Sequence, residues 1–200
     1  MLRPLCCWLA SSLSVPALLL GVAPLPARSD DLQAFLSDSH RFAGLRSFRL
    51  HLDSTSPKGR SVRDLVYVAP DKLRVEIKDT SLVVVVIGTN VWLRGPDKKW
   101  TKGKLSTGNP FAPINAIYRI VAQSKTGSVH FSGTQDVNGT ATHVYQIYMA
   151  PQRGFLAETT RVWIGLADGF PRRIEERNGP YTTTAIYSDW NQPTLTVSGP

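Results

Sequence analysis

Beyond position 7 the chain contains no cysteine. Cys6 and Cys7 both lie in an apolar leader, so residues 28–200 have no disulfide, no thiol nucleophile and no cysteine metal ligand. That part must be held together by packing. Acidic residues are scarce as well: 15 Asp and Glu stand against 23 Lys and Arg, a formal net charge of +8 that falls to +7 without Arg3. Such an excess keeps a greasy-cored protein soluble and favours anionic lipid or an acidic protein surface as a contact. Export makes nucleic acid an unsuitable partner. Long apolar runs are missing outside the leader, and the run from Trp8 to Ala23 is interrupted by Ser11, Ser12, Ser14 and Pro16, whereas a membrane-spanning helix needs about 20 predominantly apolar residues. With Arg3 ahead of that run and Ala27 just before Arg28-Ser29-Asp30-Asp31, positions 1–27 read as a secretory signal cut after Ala27. The expected mature chain, 28–200, is one soluble exported domain and a monomer.

The residue types that carry catalysis do not converge either. His40, His51, His130 and His143 are scattered, with no pair at the interval of a helical zinc motif. There is no Gly-x-Ser-x-Gly elbow, and Gly103-Lys104 lacks both the earlier glycine and the following hydroxyl residue of a phosphate-cradling loop. Glu175 and Glu176 are neighbours on an expected strand and so point to opposite faces. The pattern places no polar cluster beside the apolar faces. A protein without catalytic residues, resident metal or cofactor is expected.

What the chain does have is alternation. Phe48, Leu50 and Leu52 share one pleat face while Ser47, Arg49 and His51 share the other, and Leu73, Val75 and Ile77 repeat the pattern against Lys72, Arg74, Glu76 and Lys78. Strands are expected at 45–53, 61–69, 72–78, 82–87, 91–94, 128–134, 142–150, 160–167, 171–177 and 181–189, with 54–59 and Pro70-Asp71 as turns and Asn138-Gly139, Asp168-Gly169 and Asn178-Gly179 as hairpin signals. The run Leu82 to Ile87 is apolar on both faces, so something must cover each side of the sheet there. Two helices are expected: one over 30–42, N-capped by Ser29 and ended by Gly44, and one over about 113–123, opened by Pro113. Segment 102–112 has neither period and reads as a flap. The fold class is therefore α+β, with about ten antiparallel strands; that they form a curved, incomplete barrel with a helical lid over an apolar cavity is what the family resemblance described below implies.

The expected cavity lining is Phe48, Leu50, Leu52, Leu65, Tyr67, Leu73, Val75, Ile77, Val91 and Leu93, and the expected lid residues are Leu32, Phe35, Leu36, Ile114, Ile117 and Val121. A third feature interleaves indoles with cations: Trp92, Arg94, Lys98, Lys99, Trp100, Lys102 and Lys104. Within it Trp100, Lys98, Lys99 and Lys102 form a candidate surface contact, and Trp92 is expected to pack inward.

These residues carry a family resemblance. A helix, then Leu45-Arg46-Ser47-Phe48, then Tyr67-Val68-Ala69-Pro70-Asp71-Lys72-Leu73-Arg74, then Gly88-Thr89-Asn90-Val91-Trp92-Leu93 followed by Trp100, resembles the LolA-like periplasmic lipoprotein-carrier superfamily. Asp168-Gly169-Phe170-Pro171-Arg172-Arg173-Ile174 and Tyr187-Ser188-Asp189-Trp190-Asn191 fit the same superfamily. The resemblance implies a carrier or chaperone whose partners are lipid or lipoprotein acyl chains, with a membrane-protein donor and acceptor. It also departs from that superfamily at one point: where carriers hold a basic residue before the proline that opens the third strand, this chain has Ala69. The chain is similar as well to the RseB lipoprotein-sensing domain, which implies a sensor or interaction module as the alternative. An exported hydrolase is the third reading.

Overall fold

Strands with one dry and one wet face must share a common dry side, and the register of the sheet achieves this, with shifts only at bulges near Gly133 and Arg172. The computed structural model describes residues 29–104, 119–151 and 156–200. In chain order they form α1 (Ser29–Asp38), a 3₁₀ turn (Ser39–Gly44), β1 (Ser47–Ser56), β2 (Gly59–Val68), β3 (Lys72–Ile77), a short 3₁₀ turn (Lys78–Thr80), β4 (Leu82–Ile87), β5 (Asn90–Arg94) and β6 (Trp100–Lys104). A helical segment at 119–124 follows, then β7 (Ser128–Val137), β8 (Thr140–Met149), β9 (Glu158–Gly165), β10 (Pro171–Asn178) and β11 (Tyr181–Ser188). All eleven strands lie in one antiparallel sheet of order β6-β5-β4-β3-β2-β1-β11-β10-β9-β8-β7. Two meanders thus meet where β1 pairs with β11, Leu50 opposite Tyr187 and Leu52 opposite Ala185. The sheet is open: β6 and β7 are its two ends.

The inner face is set by the expected alternation. Phe48, Leu50, Leu65, Leu73, Val86, Val129, Tyr145, Ile147, Val162, Ile164, Ile174, Ala185 and Tyr187 form one buried cluster with Phe35 and Phe42 from the first helical region and Ile120 from the second. The outer face is wet over most of its area but dry at β4, where Val83 and Val85 pack with Val197 from the segment after β11. That segment supplies the second cover that the two-sided apolar run requires, and Gly199 lies against the Trp92 ring.

Three expectations need correction. Residues 102–104 of the expected flap belong instead to strand β6, paired with β5 from Arg94 opposite Trp100 to Asn90 opposite Lys104; three lysine and glycine positions in five residues hide the alternation that pairing to β5 imposes. The β1–β2 connection is not 54–59 but the two residues Pro57 and Lys58, since Ser56 already faces Gly59. The first helix ends at Asp38 and tightens into the 3₁₀ turn, which Gly44 closes as expected. The signal reading, the start of the second helix at Pro113, and lid positions Ile114 and Ile117 fall outside the described residues.

On the outer face the charged side chains of β1, β2 and β3 form a ladder: Arg74 to Glu76 at 2.8 Å, Glu76 to Lys78 at 3.1 Å, Lys78 to Asp64 at 2.9 Å and Asp64 to His51 at 2.7 Å. Hydrogen bonds from Lys78 and His51 hold the Asp64 carboxyl below its ordinary value, and bonds from Arg74 and Lys78 do the same for Glu76. A backbone N–H from Val62 lowers Asp79. Depressed folded-state values make the contribution complete above the ordinary values of 3.8 and 4.5, and it is lost as pH falls through them toward the folded values. The melting temperature should therefore be insensitive to these groups above about pH 5 and fall on acidification. Asp64→Asn should flatten that acid limb in a melting series; an unchanged slope would show that the ladder contributes nothing.

Candidate functional site

The inner face is largely apolar, interrupted by Arg63 on β2, His143 on β8 and Glu176 on β10, and the described lid residues cover its two halves unequally. Over β7 and β8 the cover is closer: Val129, Tyr145 and Ile147 are buried, and Phe131 is half-buried. Phe35 is 0% exposed and meets the Tyr145 ring edge-on at 5.4 Å. Leu32, Leu36 and Val121 pack against the same cluster. Over β2 to β5 the same face is incompletely covered: Leu52, Tyr67, Val75, Val84 and Val91 are half-buried, and Leu93 is 42% exposed. Of the expected lining, Phe48, Leu50, Leu65 and Leu73 are thus core residues, whereas Leu52, Tyr67, Val75, Ile77, Val91 and Leu93 present apolar surface that the chain does not fully cover.

Burial on one side follows from how the lid is anchored. β7 ends the sheet, so its outward N–H groups need partners. The Asp31 carboxylate of α1 accepts the Phe131 N–H at 3.1 Å, next to the bulge that Gly133 makes with φ +104°. At the other end of α1, Asp38 Oδ2 accepts from the Tyr145 hydroxyl at 2.7 Å and lies 2.7 Å from His143 Nδ1. Burial, reinforced by the Asp38 bond, pushes the Tyr145 phenol up, so it keeps its proton and donates. The second helical segment is tied down similarly: Arg119 reaches Glu176 of β10 at 2.5 Å, and Gln123 donates to Glu158 of β9 at 3.1 Å. Gly127 then passes so close to the Tyr148 carbonyl that a Cβ would lie 2.5 Å from it, which reserves the entry to β7 for glycine.

These two groups correct the expectation that no polar cluster lies beside the apolar face. A strand over 142–150 is expected from the sequence, but Asp38 is 105 residues away from His143, and nothing local announces the partnership. Both groups join lid to sheet with their polar atoms facing one another. Glu175 and Glu176 do point to opposite faces, Glu175 to Arg173 and Glu176 to Arg119. Among the described residues no set of three His, Cys, Asp or Glu is placed to hold a metal ion, and no helix is long and apolar enough to cross a membrane.

At the β1–β11 seam, the late motif acts structurally. The Trp190 ring stacks on Tyr187 at 5.2 Å and packs on Phe48 at 5.3 Å. Asn191 Oδ1 accepts the N–H groups of Arg46 and Ser47, and its Nδ2 donates to the Gly44 carbonyl at 3.2 Å. One side chain thereby fixes the exit from the lid into β1. Ala69 donates its N–H to the Arg46 carbonyl at 2.6 Å; the described anchors of α1 are Asp31 and Asp38, on the opposite half of the sheet.

The candidate surface contact lies at the other end. Trp92 and Trp100 are both half-buried against the small outer cluster, while Lys98, Lys99 and Lys102 are exposed.

No protein-family model matches the chain, and no curated protein matches it. Among solved structures, the lipoprotein LppX of Mycobacterium tuberculosis matches over 85% of this chain and 100% of its own, with a TM-score of 0.59 at 16% identity. LprF from Mycobacterium bovis matches over 87% and 99%, with a TM-score of 0.65 at 15% identity. A LolA superfamily protein from Nitrosomonas europaea matches over 82% and 94%, but at a TM-score of 0.37, too low to carry an argument. The chain has the fold of LppX and LprF, an incomplete antiparallel barrel with a helical lid.

Proposed function

We propose that residues 28–200 form an exported, soluble domain that carries or chaperones acyl chains, those of lipids or of lipoproteins, between the lid and the inner face of the sheet. The observation that carries this reading is the uneven cover of one continuous apolar face. Soluble proteins do not leave contiguous apolar surface open without a use for it, and Val75, Val84 and Leu93 lie opposite one another across β3 to β5, with Val91 next to Leu93 on the same face of β5. A chain bound there would replace water over that half and compete with Leu32, Phe35 and Leu36 for the rest. Lid side chains and acyl chains are equally apolar, so exchange costs little net burial. The LppX and LprF fold supports the architecture; the cargo reading rests on the face itself.

Native mass spectrometry of the protein isolated from its own compartment tests it. A bound species of lipid or acyl-peptide mass, displaced by a fluorescent fatty acid, is the expected result. An empty protein that takes up no fluorescent fatty acid would overturn the reading.

A further inference from the structure

We propose that the β5–β6 hairpin is a docking surface for an anionic phospholipid bilayer. Its register puts Trp92, Arg94, Trp100, Lys102 and Lys104 on the outer face, with Trp92 opposite Lys102 and Arg94 opposite Trp100. Each indole is roofed by a cation from its partner strand: the Arg94 guanidinium lies 5.2 Å from the Trp100 ring and the Lys102 ammonium 5.5 Å from Trp92. The connecting turn is ordered by its own bonds. Gly95 C=O accepts the Lys98 N–H at 3.0 Å, Lys98 sits at φ +60°, and Asp97 Oδ1 accepts the Lys99 N–H at 3.2 Å. Asp97 is thereby engaged with backbone, and Lys98 and Lys99 project from the tip.

The contrast with the rest of the sheet is electrostatic. Arg49, Arg60, Arg74, Arg119, Arg172 and Arg173 each have a carboxylate partner. Among the described residues, Arg94, Lys98, Lys99, Lys102 and Lys104 have none. Cations without an ion pair also occur singly elsewhere among the described residues, as at Arg63, Lys72, Arg161 and Arg177; what sets the hairpin apart is that such cations are gathered in one place. Lysines on an end strand discourage pairing with another sheet, but that role does not account for Lys98 and Lys99, which lie in the turn. Five cations beside one engaged carboxylate form a concentrated positive patch.

The chemistry favours a bilayer over an acidic protein. Four of the five cations are lysines, hydrated point charges on flexible stems that suit a diffuse layer of headgroups, whereas fixed carboxylates are matched better by the guanidinium fork. Half-buried indoles beside them fit the boundary between headgroup and acyl chain. The inner side of the same hairpin carries Leu93, the most exposed of the expected lining residues, and β6 is an end strand of the sheet, so docking by the turn and this free edge brings the rim of the open apolar face near the bilayer. This deepens the acyl-chain reading by naming where cargo is met, and rests on it for purpose only.

The test is flotation of the full mature chain with phosphatidylglycerol–phosphatidylcholine vesicles and with phosphatidylcholine alone, at low and high salt. Each lysine near such a surface contributes about fivefold in affinity. The pair Lys98→Glu with Lys99→Glu should therefore weaken binding more than tenfold, while Lys58→Glu with Lys125→Glu, an equal charge change at exposed positions elsewhere, should weaken it far less. Brominated lipid should quench tryptophan emission, and Trp100→Phe should reduce that quenching, a readout that needs no charge reversal. Absence of binding to the anionic vesicles, equal loss in both double variants, or retention on immobilised polyglutamate without vesicle binding would each overturn the proposal, the last in favour of an acidic protein partner. Fatty-acid uptake by the Lys98→Glu, Lys99→Glu protein is measured in parallel: retained uptake without docking separates the two readings, and lost uptake in wild type sinks the acyl-chain reading alone.

Discussion

Leu50→Asp should destabilise the protein by about 3–5 kcal/mol, whereas Val75→Asp should cost far less and instead abolish acyl-chain uptake. Both residues occupy the inward phase of their strands, but their surroundings differ. Leu50 is 1% exposed, between Leu65 on β2 and Tyr187 on β11. An aspartate there has no cation opposite it, and burying an unpaired charge removes a large share of the roughly 5–15 kcal/mol that a typical domain has. Val75 faces Leu65 and Val84 in the incompletely covered half. An aspartate at that position can keep water, so the fold survives, but its carboxylate would sit where an acyl chain must lie. Chemical denaturation and titration with a fluorescent fatty acid separate the effects. A Val75→Asp protein that folds and binds the probe normally would remove this half of the face from the proposed site.

The contrast between those two positions was not legible in the sequence, although their shared face was. Alternation depends on neighbours two residues apart, so Phe48, Leu50 and Leu52, or Leu73 and Val75, announce their side of the sheet locally. How deeply each is buried depends on what lies above, and that is decided by contacts across the chain. The same limit hid the anchors of α1. Asp31 and Asp38 look like ordinary helix acids, Asp31 well placed for the positive helix end, and only the fold brings them to Phe131, His143 and Tyr145. The two-sided apolar run at β4 did require an outer cover, yet Val197 could not be identified as that cover, because residues 195–199 have no strand or helix period of their own. Strand β6 shows the converse: a short, lysine-rich segment becomes a strand because β5 offers it a ladder.

Removing the Asp38 carboxylate should tighten acyl-chain binding while weakening the fold. In the closed protein Asp38 satisfies the Tyr145 hydroxyl, on a residue 1% exposed, and faces His143. Asp38→Ala leaves a buried donor without a partner, a loss of about 1–3 kcal/mol. That loss falls on the closed lid, since an open lid gives Tyr145 access to water. If binding requires opening, apparent affinity scales with the open fraction, and a shift of about 1.4 kcal/mol tightens it about tenfold. Amide exchange should quicken in α1 and leave the central strands β1 and β11 unchanged. Asp38→Asn, which retains an acceptor for Tyr145, should lie between wild type and Asp38→Ala. Tyr145→Phe should tighten binding with less destabilisation, because it removes the buried donor together with its bond and keeps the ring against Phe35. Weaker binding by all three variants would mean that α1 is part of a rigid core and that acyl chains do not enter by displacing it.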